Sequence, residues 1–208
     1  METQGHHRFK LKDPGFTRAP VNPLTAQVLE SLGPDHAHFQ QQQFIQTLRG
    51  YVELDGEPVR ILDIGCGAAP YAPLVVSLFG DRAEYVGIDK EKLPIQRAPR
   101  APRVDYIHGE ALRLEEYVEG EFEVVLSRSP NIWNEDVWRR IYTKARGIMN
   151  GGLLIGTGFS LREHGLQKKA LEGAGFTVEK AEQNPFITIS SEDDNKFIMD
   201  NYVIFASP

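Results

Sequence analysis

An apolar run ends in Asp63, and two residues later the chain sheds its side chains: Gly65-Cys66-Gly67-Ala68-Ala69-Pro70. Glycine turns tightly and lets a ligand approach the backbone. A helix starting behind such a turn presents unpaired N–H groups to whatever sits there. A second short apolar run ends in Asp89, about twenty residues past Gly67, and a carboxylate at that remove can accept hydrogen bonds from ribose hydroxyls. The pattern points to a nucleoside-bearing ligand. It departs from a dinucleotide fingerprint, which needs Gly or Ala where Pro70 stands, and from a P-loop, which needs a Gly-Lys-Ser/Thr ending. Asp63 ahead of the glycines suits a ligand with a positive charge or an amino group better than a pyrophosphate.

These residues need strands that end together and helices that start behind them. Residues 59–64, 85–89, 104–109, 122–128 and 153–158 read as strands, with 177–181 and 202–207 as two more. Helical patterns separate them. Pro70 opens one at 70–79, and 111–118 forms a short one. Asn134 caps another, with Glu135 and Asp136 in its first turn and an apolar face of Val137, Ile141, Ala145 and Ile148, ending at Gly151-Gly152. Ser160 and Glu163 form a capping box for the next. The alternation predicts an α/β fold, a three-layer α/β/α sandwich on a mostly parallel seven-stranded sheet. Residues 1–24 look irregular and 25–51 helical. We expect residues 1–52 to form an N-terminal helical extension on the core, and 53–208 the ligand-binding domain.

"ILDIGCG" resembles the first motif of the class I S-adenosylmethionine-dependent methyltransferases, and "YVGID" their second. "HGEA" is similar to the segment that contacts adenine in that family. "GGLLIGTG" and "LEGAGFTV" resemble its fifth strand and the turn before its sixth. The resemblance implies a Rossmann-like methyltransferase fold with an antiparallel last strand, S-adenosylmethionine as cofactor, and methyl transfer as activity. It implies that Asp63, Gly65 and Gly67 shape the loop and hold the methionine part. Asp89 would take the ribose hydroxyls, and Glu110 and Ala111 would border the adenine. Ser127 and Arg128 would lie near the methionine moiety and the acceptor. Cys66 and Lys90, inside and beside the first two motifs, complete the expected cofactor-binding set. Ala69 stands where many members have a third glycine.

The acceptor side is less explicit. Amino methyltransferases often carry an Asp/Asn-Pro-Pro-aromatic motif after the fourth strand; here Ser129-Pro130-Asn131-Ile132-Trp133 keeps one proline and shifts the aromatic. Asn131 and Trp133 are substrate-side candidates, or else part of a helix-entry loop with a packed Trp. No catalytic base can be singled out, and no His, Cys or Asp cluster has metal-ligand spacing. The formal charge of −6 favours a small-molecule or protein acceptor over a nucleic acid. Residues 90–103 nevertheless carry five basic residues and one acid, which keeps an RNA or DNA methyltransferase open. A non-catalytic methyltransferase-like binding or scaffold domain is the further alternative. The lone cysteine and the lack of a long apolar run predict a cytoplasmic protein with no membrane partner. The sequence leaves the oligomeric state open.

Overall fold

The computed structural model describes residues 9–11, 36–54, 58–186 and 200–208. Strand β1 (Phe9–Leu11) pairs antiparallel with β2 (Val52–Leu54), next to helix α1 (His36–Tyr51). The main sheet holds β3 (Arg60–Ile64), β4 (Glu84–Asp89), β5 (Val104–His108), β6 (Phe122–Arg128), β7 (Met149–Gly158), β8 (Thr177–Gln183) and β9 (Tyr202–Ser207). Their order is β5-β4-β3-β6-β7-β9-β8. Only β9 runs against its neighbours β7 and β8, so the expected mostly parallel seven-stranded sheet with an antiparallel last strand is what forms. The chain winds one way from β3 through β5 and the other way from β6, so the order reverses between β3 and β6. Ligands of such sheets bind at that reversal, beyond the carboxyl ends of the strands.

Side chains alternate across the sheet and build two apolar layers. Ile61 of β3 joins Phe44 and Leu48 of α1 and Val75 of α2 (Ala72–Phe79). Its neighbours Leu62 and Ile64 point the other way. They meet Ile141 and Tyr142 of α4 (Glu135–Gly147), Leu171 of α5 (Leu161–Gly173), and Leu114 of the 3₁₀ segment Ala111–Glu116. Asp63 therefore falls on the α1/α2 face.

Some expectations needed correction. Helix α4 ends at Gly147, not at Gly151-Gly152. Those two glycines lie inside β7 at φ of 61° and 110°, where the β6–β7 register shifts. A Cβ on Gly152 would stand 2.1 Å from the carbonyl oxygen of Glu123, so close backbone approach is the reason for the glycine. Helix α3 (Lys92–Arg97) was not foreseen; it buries no residue and contains Pro94, which leaves no apolar periodicity to detect. The β1–β2 pair was also missed, because three-residue strands carry too little pattern. The N-terminal part of the expected 25–51 helix and most of the segment before β9 lie outside the described residues.

Gly152→Ala should lose at least about 2 kcal/mol of stability in urea unfolding, from a clash with backbone that cannot step aside. Gly147→Ala, with nothing within 4 Å of its Cβ, should be neutral or gain up to about 1 kcal/mol.

Candidate functional site

A cleft of about 990 Å³ opens over the reversal point. It is lined from the ends of β3 and β4 (Ile64, Gly65, Ile88, Asp89, Lys90), from the turn after β5 (Gly109, Glu110, Ala111), and from the β6–α4 connection with the first turns of α4. Gly65 and Gly67 have φ of 72° and 58°, the left-handed region glycine enters without strain. Ala69 also lies there, at 35°, which accounts for the glycine found in its place elsewhere. The Gly65 N–H donates to the Ile88 carbonyl at 2.8 Å, tying the loop to the end of β4. Asp89 completes the tie. Its Oδ2 accepts from the Gly67 N–H and its Oδ1 from the Glu91 N–H, both at 2.8 Å. A carboxylate offers about four lone-pair sites, so each oxygen keeps capacity for a further donor such as one hydroxyl of a diol.

On the other wall, the Asn134 side chain caps α4 by accepting from the Val137 N–H at 3.3 Å. Trp138, four residues into the helix, lines the cleft. A Cβ on Gly65 would sit 3.8 Å from the edge of its ring. The Trp138 indole N–H donates to the Asn131 carbonyl at 2.7 Å, and its ring centroid is 5.5 Å from that of Tyr142. The Tyr142 hydroxyl is held in turn by Ser127 Oγ at 2.9 Å and by the Gln167 amide at 3.1 Å. Trp133 is 56% exposed at the rim, with the Arg162 guanidinium over its ring at 4.9 Å.

Seven of the expected residues thus line one cleft: Gly65, Asp89, Lys90, Glu110, Ala111, Asn131 and Trp133. Asp63, Cys66, Gly67, Ser127 and Arg128 do not belong to its lining. Alternation along the strands explains the split. Ser127 goes into the α4/α5 layer. Arg128 turns to the opposite layer, where it makes a buried ion pair with Asp200 at 2.6 Å and lies over the rings of Phe44 and Tyr71. Asp200 also accepts from the Thr157 hydroxyl. Cys66 is buried against Gly87, and burial pushes its thiol up. Sequence reasoning missed Trp138, Ser129 and Asp200. Trp138, Ile141, Tyr142 and Ala145 form a stripe at helical spacing, a signal masked by the parallel reading from Val137.

Asp63 is fully buried and accepts from Tyr85 at 2.5 Å and Tyr71 at 2.7 Å, with Oδ1 unpartnered. Burial pushes its carboxyl from 3.8 up to about 6, against the pull of the two tyrosines and of Arg128. Between about pH 4 and 6 the folded chain keeps a proton that the unfolded chain has released, so this group's contribution to stability falls as pH rises. Asp63→Asn should therefore gain on the parent by up to ~3 kcal/mol between pH 4 and pH 7 in urea unfolding. Parallel profiles would mean that folding leaves the carboxyl's titration unchanged.

Residues 61–152 match a family model described as a methyltransferase domain. No curated protein matches the sequence. Solved structures share the fold at low identity. A chain of the complex between the Haloferax volcanii Trm112 methyltransferase activator and its methyltransferase partner is 13% identical, with a TM-score of 0.61 over 91% of this chain and 96% of that one. An S-adenosylmethionine-dependent methyltransferase from Mesorhizobium loti is 13% identical, with a TM-score of 0.56 over 81% and 97%. A TehB-like S-adenosylmethionine-dependent methyltransferase from Corynebacterium glutamicum is 16% identical, with a TM-score of 0.53 over 89% and 94%. The family match runs from β3 into β7, the part of the sheet that builds the cleft, and the mixed seven-stranded sheet has the fold of these methyltransferase neighbours.

Proposed function

We propose that the chain moves the sulfonium methyl of S-adenosylmethionine to a small-molecule or protein acceptor that enters beside Asn131 and Trp133. The observation that carries this reading is the Asp89 carboxylate, oriented by two backbone donors at the lip of a cleft that also holds Gly65, Glu110 and Ala111. In it, Asp89 receives the ribose diol and Glu110 and Ala111 border the adenine. Gly65 lets the rest of the cofactor cross the end of β3. Gly67 and Cys66 shape the loop from behind, while Asp63, Ser127 and Arg128 hold the strand ends that carry it. The cofactor supplies an activated methyl whose C–S bond breaks with its electron pair going to sulfur as the acceptor atom bonds to carbon. What remains for the protein is chiefly in-line positioning. Among the described residues the lining holds carboxylates and no histidine or cysteine, and in this reading a proton leaving the acceptor passes to one of those carboxylates or to water.

The lining carries Asp89, Glu91, Glu110, Glu135 and Asp136 against Lys90. That balance favours a cationic donor and repels a polyphosphate. A second reading, an RNA acceptor, rests on a different surface. Lys90, Lys92, Arg97, Arg100 and Arg103 are all exposed. None makes an ion pair among the described residues, whereas most cations elsewhere do. We keep the division at residues 52 and 53 as a proposal, with α1 sealing one face of the sheet. A cytoplasmic location fits the single buried thiol; no helix among the described residues is long and apolar enough to cross a membrane.

Calorimetry should show S-adenosylmethionine binding to the wild type, weakened about 10- to 100-fold in Asp89→Ala by the loss of charge-assisted hydrogen bonds. Absence of binding at millimolar cofactor would end the reading, and unchanged binding in Asp89→Ala would end the ribose assignment. If RNA is the acceptor, affinity for a single-stranded RNA should fall steeply with salt, and Arg97→Ala/Arg100→Ala/Arg103→Ala should reduce the slope by about 2.

A further inference from the structure

We propose that Trp133 and Arg162 form a recognition platform for the methyl acceptor, and that the acceptor is a flat molecule carrying a single negative charge, as an aromatic carboxylate does. The inference rests on the acceptor entrance beside Asn131 and Trp133 proposed above, and it names what enters there. Trp133 follows β6 and Arg162 follows β7, the neighbouring strand. In the strand order β7 stands three places from β4, which ends in Asp89. At about 4.8 Å per strand that is about 14 Å. The pair therefore belongs to the rim of the cleft remote from the ribose site.

The needs of the fold do not account for either side chain. Trp133 is 56% exposed, and Leu161, next to Arg162 in the chain, is 68% exposed. They are two of the three large apolar side chains left exposed among the described residues. Arg162 lies in the first turn of α5, near the positive end of the helix dipole, where a cation gains nothing. Its neighbour Glu163 turns back to accept from the Phe159 and Ser160 N–H groups at 3.1 and 3.3 Å. Glu135 and Asp136, also in the cleft lining, pair with Lys169 at 2.9 Å and with Arg139 at 3.4 Å. Among the described residues, then, Arg162 has no hydrogen bond or ion pair, and the Trp133 indole N–H has no partner, unlike that of Trp138. What Arg162 has is the Trp133 ring, 4.9 Å away at its centre. A guanidinium stacked on a ring keeps its planar N–H fork free, and that fork matches the two oxygens of a carboxylate. The exposed indole supplies stacking area for a flat ring. One unpartnered cation answers one negative charge.

Naphthoate, its neutral isostere naphthamide and the non-planar anion cyclohexanecarboxylate separate ring from charge. With fluorotryptophan at the two tryptophans of the chain, naphthoate should move the fluorine resonance of Trp133, identified by its loss in Trp133→Leu, by more than that of Trp138. Titration of that resonance should place naphthoate roughly 3- to 10-fold above naphthamide in affinity, and above cyclohexanecarboxylate by a similar factor. Arg162→Gln, a change at an exposed side chain, should bring the naphthoate-to-naphthamide ratio near one while calorimetry finds the affinity for S-adenosylmethionine unchanged. Arg162→Lys, which keeps the charge and loses the fork, should restore part of the ratio. Equal affinities of naphthoate and naphthamide in the wild type would overturn the inference, as would a ratio that survives Arg162→Gln or a Trp133 resonance that does not respond. Wild-type protein that shows the expected preference but does not bind S-adenosylmethionine would instead bring down the cofactor reading and leave the platform standing.

Discussion

The carboxylate of Asp89 is the knot of this structure. It ends β4, and through the Gly67 and Glu91 N–H groups it holds both the glycine loop after β3 and the start of the next crossover. It adds to the backbone bond from the Gly65 N–H to the Ile88 carbonyl, which already joins the loop and the strand end. With it, they form one rigid lip at the place where the strand order reverses. The lip is shaped by backbone donors, so the carboxylate reaches the cleft already oriented and its remaining lone pairs are directed by the fold.

Around that lip the two faces of the sheet serve different purposes. On the α1/α2 face, Asp63, Tyr71, Tyr85 and the Arg128–Asp200 pair bury polar groups that cross-link β3, β4, β6 and the segment entering β9. On the α4/α5 face, Ser127, Tyr142 and Gln167 fix the helices that carry Trp138 and the acidic first turn of α4. Neither network belongs to the cleft lining. Both fix the strand ends that do, and a cleft built on sites of angstrom precision needs such a second layer.

What could be read in the sequence follows from range. Gly65, Gly67 and Asp89 depend on a strand, a turn and the next strand, all local, and the spacing between them carries the message. Glu110 and Ala111 sit just past a strand end in the same local sense. Asp63 and Arg128 were recognisable as chemistry but not as to direction. Their orientation is decided by partners such as Tyr85 and Asp200, 22 and 72 positions away, and by the two-residue alternation at each strand's last turn. Trp138 looked like one more helical apolar residue, because only the meeting of α4 with the β3 loop turns it into the cleft. Gly151 and Gly152 illustrate the opposite error: a strong local stop signal was read for a helix, and the carbonyl of Glu123 on the neighbouring strand shows that close strand approach was the cause.

In the reading proposed above, acceptor choice rests with the rim around Asn131, Trp133 and the first turn of α4, where acids outnumber cations, and with surfaces that vary freely on this fold. The donor side rests on fewer and firmer elements. A crystal structure with S-adenosylhomocysteine tests it most directly. The account predicts the ribose diol on the two oxygens of Asp89, the adenine beside Glu110 and Ala111, and the rest of the ligand crossing the end of β3 at Gly65. A ligand bound elsewhere, or with its ribose turned away from Asp89, would contradict it.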